Sequence, residues 1–245
     1  MTLQALTFDL DDTLWAVEPV IELANQTLWS WLEERAPRFT QAYQFSDLAE
    51  GSALRAQVLS RYPEIAHSVT LIRLKLLETA LADLGYPVAD AQTLAAQAFT
   101  AFMEARHQVT LFAHARTSLE TLHRQGLRLG ALSNGNAEVK RTGLADLFEF
   151  QLNADQVGQA KPHPLMFEQA LAYLQLNPTQ VVHIGDHPVN DVEAAQALGI
   201  WTVWVNLSGQ AWPGGRPADV EIRSLADLPD AIAQLQARAL KRQIL

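Results

Sequence analysis

The stretch LQALTFDLDDT, residues 3–13, decides the fold. Its first six residues, Leu3–Phe8, are a run of strand formers, and an acidic cluster follows at once. Alone, such a cluster could be a polar turn, since aspartate is common there. After Val109, however, helix and strand patterns alternate. Leu127–Leu132, Val181–Ile184 and Trp201–Val205 read as strands; Leu165–Leu176, Asp191–Leu198 and Asp227–Arg238 read as helices. Thr117-x-x-Glu120 resembles a capping box, and Gly126 suits the end of that helix. This alternation predicts a parallel sheet with helices on both faces, to which the first strand belongs.

Between Pro19 and Ala105 the character changes. Val20–Leu32, Leu48–Arg61, Val69–Leu84 and Ala91–Arg106 carry apolar residues at three- and four-residue spacing, punctuated by Pro37, Pro63 and Gly85-Tyr86-Pro87. The expected organisation is an α/β core from residues 1–16 and 110–245, interrupted by a four-helix unit at 17–109.

Three polar clusters then fall at the carboxyl ends of three predicted strands: Asp9–Thr13, Ser133-Asn134-Gly135-Asn136, and Gly185-Asp186 through Asn190-Asp191. Open parallel sheets bind ligands along that rim, so residues far apart in sequence are expected to converge. Asp9 and Asp11, two apart, leave an extended backbone on the same side. Paired carboxylates suit a hard cation such as Mg²⁺. Ser133 and Asn134 offer a hydroxyl and main-chain N–H groups to an anion. Lys161 precedes a helix opened by Pro164, which places a cation beside a helix N-terminus.

Composition excludes several classes. The net charge of −9 argues against a nucleic-acid partner. Zero cysteines removes disulfides, zinc–thiolate sites and thiol nucleophiles, and is compatible with a reducing compartment. The N-terminus has no basic segment and reaches an aspartate at position 9, so no signal peptide is expected. No window approaches the roughly 18 apolar residues of a membrane span, and the expected location is the cytoplasm.

Together these residues resemble the haloacid dehalogenase-like hydrolase superfamily. DLDDT (9–13), LSN (132–134), AKPHP (160–164) and GDHPVND (185–191) match its four motifs in order, and the helical unit stands where its C1-type cap belongs. The resemblance implies a Rossmann-like core and a Mg²⁺-dependent phosphatase acting on a small phosphate ester, as a monomer or homodimer. Asp9 would be the nucleophile and Asp11 the general acid, then base. Ser133, Asn134 and Lys161 would hold phosphoryl oxygens. Asp9, the main-chain carbonyl of Asp11 and Asp186 would ligate Mg²⁺, supported by Asp191. Four carboxylates against one divalent cation and one lysine leave surplus negative charge, which favours a proton on Asp11 at the moment of attack. Within the family, ALTFDLDDTL (5–14), SNGNA (133–137), FEF (148–150), HIGD (183–186) and the segment His67–Arg73 are similar to bacterial phosphatases of 5-amino-6-(5-phospho-D-ribitylamino)uracil and FMN.

Two further functions share the resemblance. A phosphomutase would carry every motif. A 2-haloacid dehalogenase would lack the second aspartate, so Asp11 disfavours it. For specificity, Trp15 is expected at the site entrance, and His67, Thr70 and Arg73 on one helical face reading the substrate. His163 and His187 read as supporting or incidental, and Trp201 and Trp204 as core.

Overall fold

A computed structural model describes residues 2–241. The chain divides into two compact units, one running to Ala16 and resuming at Thr110, the other spanning Val17–Val109.

The first unit is built on a six-stranded parallel sheet. Its strands are β1 (Ala5–Phe8), β2 (Arg128–Ser133), β3 (Phe150–Asn153), β4 (Val181–Gly185), β5 (Trp201–Val205) and β6 (Val220–Ile222), in the order β3-β2-β1-β4-β5-β6. Every residue of β1, β4 and β5 is buried. This is why these strands are continuous apolar runs rather than alternating ones. The chain builds outward from β1 in one direction, then returns to build in the other. Right-handed crossovers in opposite directions place helices on opposite faces. On one face Met166, Phe167 and Ala170 of a helix at Leu165–Leu174 share a core with Ala5, Leu132 and Val181. On the other, Ser118 in a helix at Ala115–Arg124 donates to the Leu225 carbonyl at 2.7 Å, just before the last helix at Leu228–Lys241. The reversal of strand order lies between β1 and β4, where ligands bind in such sheets.

The second unit has a core of its own. Helices α1 (Val17–Arg35), α2 (Pro37–Ala42), α3 (Ala53–Arg61), α4 (Val69–Asp83) and α5 (Val88–Arg106) bury Leu28, Phe39, Val58, Leu76, Leu77 and Phe102 together.

Several expectations are corrected. Pro37 opens the short α2, because a first-turn proline loses no hydrogen bond, so the unit holds a fifth short helix. Residues 48–52 precede α3, which starts after Ser52, whose hydroxyl accepts from the Arg55 amide. No capping box forms at Thr117-x-x-Glu120. That helix starts three residues earlier, at Ala115 after a left-handed His114, and Glu120 pairs with Arg116 instead. The predicted helix over Asp191–Leu198 is a π-helical turn, Pro188–Glu193, running into a short α-helix, Ala194–Ala197.

Gly130 in β2 shows how closely an edge strand packs, since a Cβ there would overlap the Phe150 ring of β3. Gly130→Val is expected to cost about 1–3 kcal/mol through displacement of that ring, measured by urea unfolding.

Candidate functional site

At the end of β1 the Asp9 amide donates to the Ile184 carbonyl (2.9 Å), carrying the β1–β4 pairing one residue further. This fixes Asp9 at the strand-order reversal. The chain then turns back on itself. The Leu14 amide donates to the Leu10 carbonyl (2.8 Å), and Asp12 takes a left-handed conformation at φ 58°. The turn brings the Thr13 hydroxyl within reach of two carboxylates, Asp9 Oδ2 at 3.3 Å and Asp186 Oδ1 at 3.2 Å.

Lys161 joins the strand ends. Its ammonium, 3% exposed as a residue, donates to Asp9 Oδ1 (2.8 Å), Asp191 Oδ1 (2.6 Å) and the Leu132 carbonyl of β2 (2.7 Å). All three of its N–H bonds therefore have acceptors. Asn134 clamps the Lys161 backbone from both sides: its Nδ2 donates to the Lys161 carbonyl (2.8 Å) and its Oδ1 accepts the Lys161 amide (2.7 Å).

Asp191 is held as tightly. Beyond Lys161, it accepts from the His187 amide (3.0 Å) and lies 3.2 Å from His183 Nε2. An ionised Asp191 only accepts, so the proton of His183 is assigned to Nε2. Nδ1 is then an acceptor for the Thr7 hydroxyl at 2.9 Å. Gly185 is required beneath this carboxylate, because a Cβ there would overlap it.

The charges follow from burial. Desolvation raises Asp9 well above the ordinary carboxylate range, partly offset by Lys161, with Asp191 and Asp186 adding repulsion. Desolvation, with Asp191 and Asp12 beside it, pushes Asp186 up to about 7. Burial would also raise Asp191, but Lys161 and His183 override it and hold it well below that range. Burial alone would depress Lys161; Asp191 and Asp9 reverse this and hold it above an ordinary lysine. Burial lowers His183, which is consistent with a neutral ring. One lysine thus faces more carboxylate than it can neutralise. Carboxylate oxygens of Asp9, Asp186 and Asp191 lie within 4.8 Å of one another, a donor set that fits a hard divalent cation.

A pocket of about 190 Å³ opens over these groups, lined among others by Asp9, Asp11, Ser133, Lys161, Asp186 and Asp191. A larger hollow of about 580 Å³ beside β6 is lined by Glu221, Arg223, Asp227 and Asp230, whose carboxylates are not gathered as those of Asp9, Asp186 and Asp191 are.

The motif residues are therefore brought together, while several finer assignments change. The Asn134 side chain is committed to the Lys161 backbone, so its expected contact with an anion falls to the main chain. The carboxyl of Asp11 stands outside the three-carboxylate group and accepts the Trp15 indole N–H at 2.8 Å. Trp15 is not at an entrance: it is fully buried. His67 precedes α4 and turns its Nδ1 to the Glu64 carbonyl, so it does not share a helical face with Thr70 and Arg73. Arg73 donates to Asn25 Oδ1 (2.8 Å) and lies over the Phe102 ring (4.0 Å) within the helical unit. His187 accepts the Val189 and Asn190 amides and caps the π-helical turn. Thr13, His183 and Trp204 were not picked out as site residues by sequence. Trp204 was expected only as core, yet its indole donates to the Asp186 carbonyl at 2.6 Å. The HIGD string and the fixed spacing of Thr13 after Asp9 were the available signals.

The chain belongs to the haloacid dehalogenase-like hydrolase family, which matches residues 3–199. Among curated relatives it is 32% identical over 234 residues to the 5-amino-6-(5-phospho-D-ribitylamino)uracil phosphatase of Escherichia coli, covering 94% of this chain and 96% of that one. It is 30% identical over 241 residues to phosphoserine phosphatase of Thermus thermophilus, covering 89% and 92%. A solved structure of a 2-haloacid dehalogenase from Pseudomonas syringae superposes with a TM-score of 0.88 at 39% identity, covering 95% of this chain and 99% of that one.

A folded Asp186 that titrates near 7 binds its proton more tightly than the unfolded chain, whose reference value is 3.8. Stability attributable to this group is present at low pH and lost as pH rises between those values. In metal-free buffer, Asp186→Asn should melt several degrees above wild type at pH 8, an advantage gone by pH 4. Millimolar Mg²⁺ should raise the wild-type midpoint and leave the variant unmoved. Calorimetry at both pH values, with EDTA or Mg²⁺, checks this.

Proposed function

We propose that this chain is a Mg²⁺-dependent phosphatase of small phosphate monoesters that works through an aspartyl phosphate on Asp9. The observation that carries the reading is the convergence of Asp9, Asp11, Lys161 and Asp186 around one pocket at the strand-order reversal. Membership of the hydrolase family and the two phosphatase relatives support it.

Asp9, Asp186 and the main-chain carbonyl of Asp11 would hold Mg²⁺, with Asp191 in support. When bound, the cation offsets the repulsion between these carboxylates and the phosphate dianion. The chain's own groups do the rest. Lys161 orients the Asp9 carboxylate through Oδ1 and places its positive charge beside the phosphoryl group. Ser133 and the Asn134 main chain receive the phosphoryl oxygens directly, while Lys161 would take one only by releasing one of its three present acceptors. An Asp9 oxygen bonds to phosphorus as the ester oxygen departs with the proton of Asp11. Water, deprotonated by Asp11, then attacks phosphorus, breaking the bond to Asp9 and releasing phosphate. Residues 17–109 serve as the C1-type cap. Similarity to the E. coli relative makes 5-amino-6-(5-phospho-D-ribitylamino)uracil and FMN the first esters to try.

Asp9→Asn and Asp11→Asn are each expected to reduce phosphate release by about 10³-fold or more. Phosphate release from a panel of FMN, the ribitylaminouracil phosphate and sugar phosphates, with and without Mg²⁺, measures both the activity and its range. Appreciable turnover by Asp9→Asn would remove the covalent mechanism, and turnover of sugar phosphates alone would remove the flavin-type substrates.

The similarity to the P. syringae protein supports a second reading, dehalogenation of a 2-halo acid at the same Asp9. Halide leaves as a stable anion and needs neither a proton nor a cation. An acid at Asp11 and a three-carboxylate cluster would then be without purpose. Halide release from 2-chloropropionate in EDTA, with no phosphate release from any ester, would favour it.

A further inference from the structure

We infer that Trp204 is a positioning residue for the metal site: its indole N–H locks the peptide between Asp186 and His187, and with it two carboxylates of the rim. The inference rests on the Mg²⁺-dependent reading above.

Trp204 lies in the buried strand β5, itself 3% exposed, and its Cα pairs with that of Gly185, the last residue of β4. This register carries the indole to the first residue beyond β4, where Nε1 donates to the Asp186 carbonyl at 2.6 Å. The ring is held in turn, edge-on to that of Trp212 at 5.1 Å and 80°. A strand and its packing therefore fix the donor.

A peptide unit is planar, and in the trans form its C=O and N–H point in opposite directions. Here both ends are taken. The Asp186 carbonyl goes to Trp204, and the His187 N–H of the same peptide donates to Asp191 Oδ2 at 3.0 Å. One plane thus relates Asp186 to Asp191, two of the three carboxylates gathered within 4.8 Å. The side chain of Asp186 gains less from Thr13, whose one hydroxyl proton is shared between Asp186 (3.2 Å) and Asp9 (3.3 Å). Without the indole N–H the carbonyl loses this partner. Rotation of the peptide toward another donor would then pull the His187 N–H off Asp191. Groups one step behind metal ligands set affinity in this way, by about 10- to 100-fold.

The test is calorimetric titration of Mg²⁺ into metal-free protein at pH 8, comparing wild type with Trp204→Phe and Trp201→Phe. Trp201 is the control. It is a second buried indole of β5, which donates to the Thr179 carbonyl (3.1 Å) at the end of the strand away from the rim. Trp204→Phe is expected to raise the Mg²⁺ dissociation constant about 10-fold or more, and Trp201→Phe to change it less than about twofold. A Trp204→Phe constant within about twofold of wild type overturns the inference and leaves the phosphatase reading intact. An equal loss in both variants, the mark of a merely structural role, does the same. Wild-type protein that binds no Mg²⁺ at millimolar concentration overturns the Mg²⁺-dependent reading and the inference with it. If Trp204→Phe does not fold, Trp204→benzothienylalanine, which keeps the ring shape and lacks only the N–H, is measured in the same way.

Discussion

The ammonium of Lys161, shared between Asp9 and Asp191 out of reach of water, is the interaction on which the rest depends. Taking three charges out of solvent is unfavourable unless every lone pair and proton finds a partner. Here the third N–H reaches the Leu132 carbonyl, Asn134 fixes the lysine backbone, and Thr13, His183 and the His187 amide complete the carboxylates. One side chain thus ties the ends of β1, β2 and β4 into a single rim. Replacing it would leave two buried carboxylates facing each other, so structure and chemistry would be lost together.

That arrangement also separates two carboxylates that sequence alone presents as twins. Asp9 and Asp11 leave the chain two residues apart, but their neighbours differ in kind. Asp9 is buried against an ammonium and other carboxylates, and Asp11 is half-buried against the edge of an indole. An ion partner suits a group that must bond to phosphorus as an anion. A neutral donor suits one that must alternate between acid and base. Backbone closure after β1, with its left-handed Asp12, directs them apart.

Much of this was legible in the residues. Val181–Ile184 and Trp201–Val205 announce themselves as buried strands because both faces are covered, and the helical unit shows three- and four-residue spacing throughout. β3 and β6 were not legible. Phe150-Gln151-Leu152-Asn153 and Val220-Glu221-Ile222 are short edge strands, half-solvated and mixed in polarity, and only pairing with an existing sheet makes them strands. The same holds within the site. Clusters at strand ends point to Asp9, Asp186 and Asp191, and the helix start at Pro164 points to Lys161, because their chemistry is visible locally. Thr7, Trp204 and His183 acquire their roles from partners found only in three dimensions, as Thr7 does from a histidine in the neighbouring strand. Trp15 and His67 face elsewhere than the sequence predicts for a related reason. Residue type says what a side chain can do, and only the turn or helix start beneath it decides which way it faces.

The strand order has a further consequence during synthesis. β1 precedes the other five strands of the sheet in sequence and lies near its centre, yet both of its neighbours, β2 and β4, come from beyond residue 127. While the ribosome proceeds, the helical segment at 17–109 can gather around its own locally connected core. Ala5–Phe8, wholly apolar apart from Thr7, has nothing to pair with until the C-terminal half emerges. The nascent chain therefore carries an unpartnered hydrophobic strand at least until β2 is made, and its brevity at four residues limits that hazard.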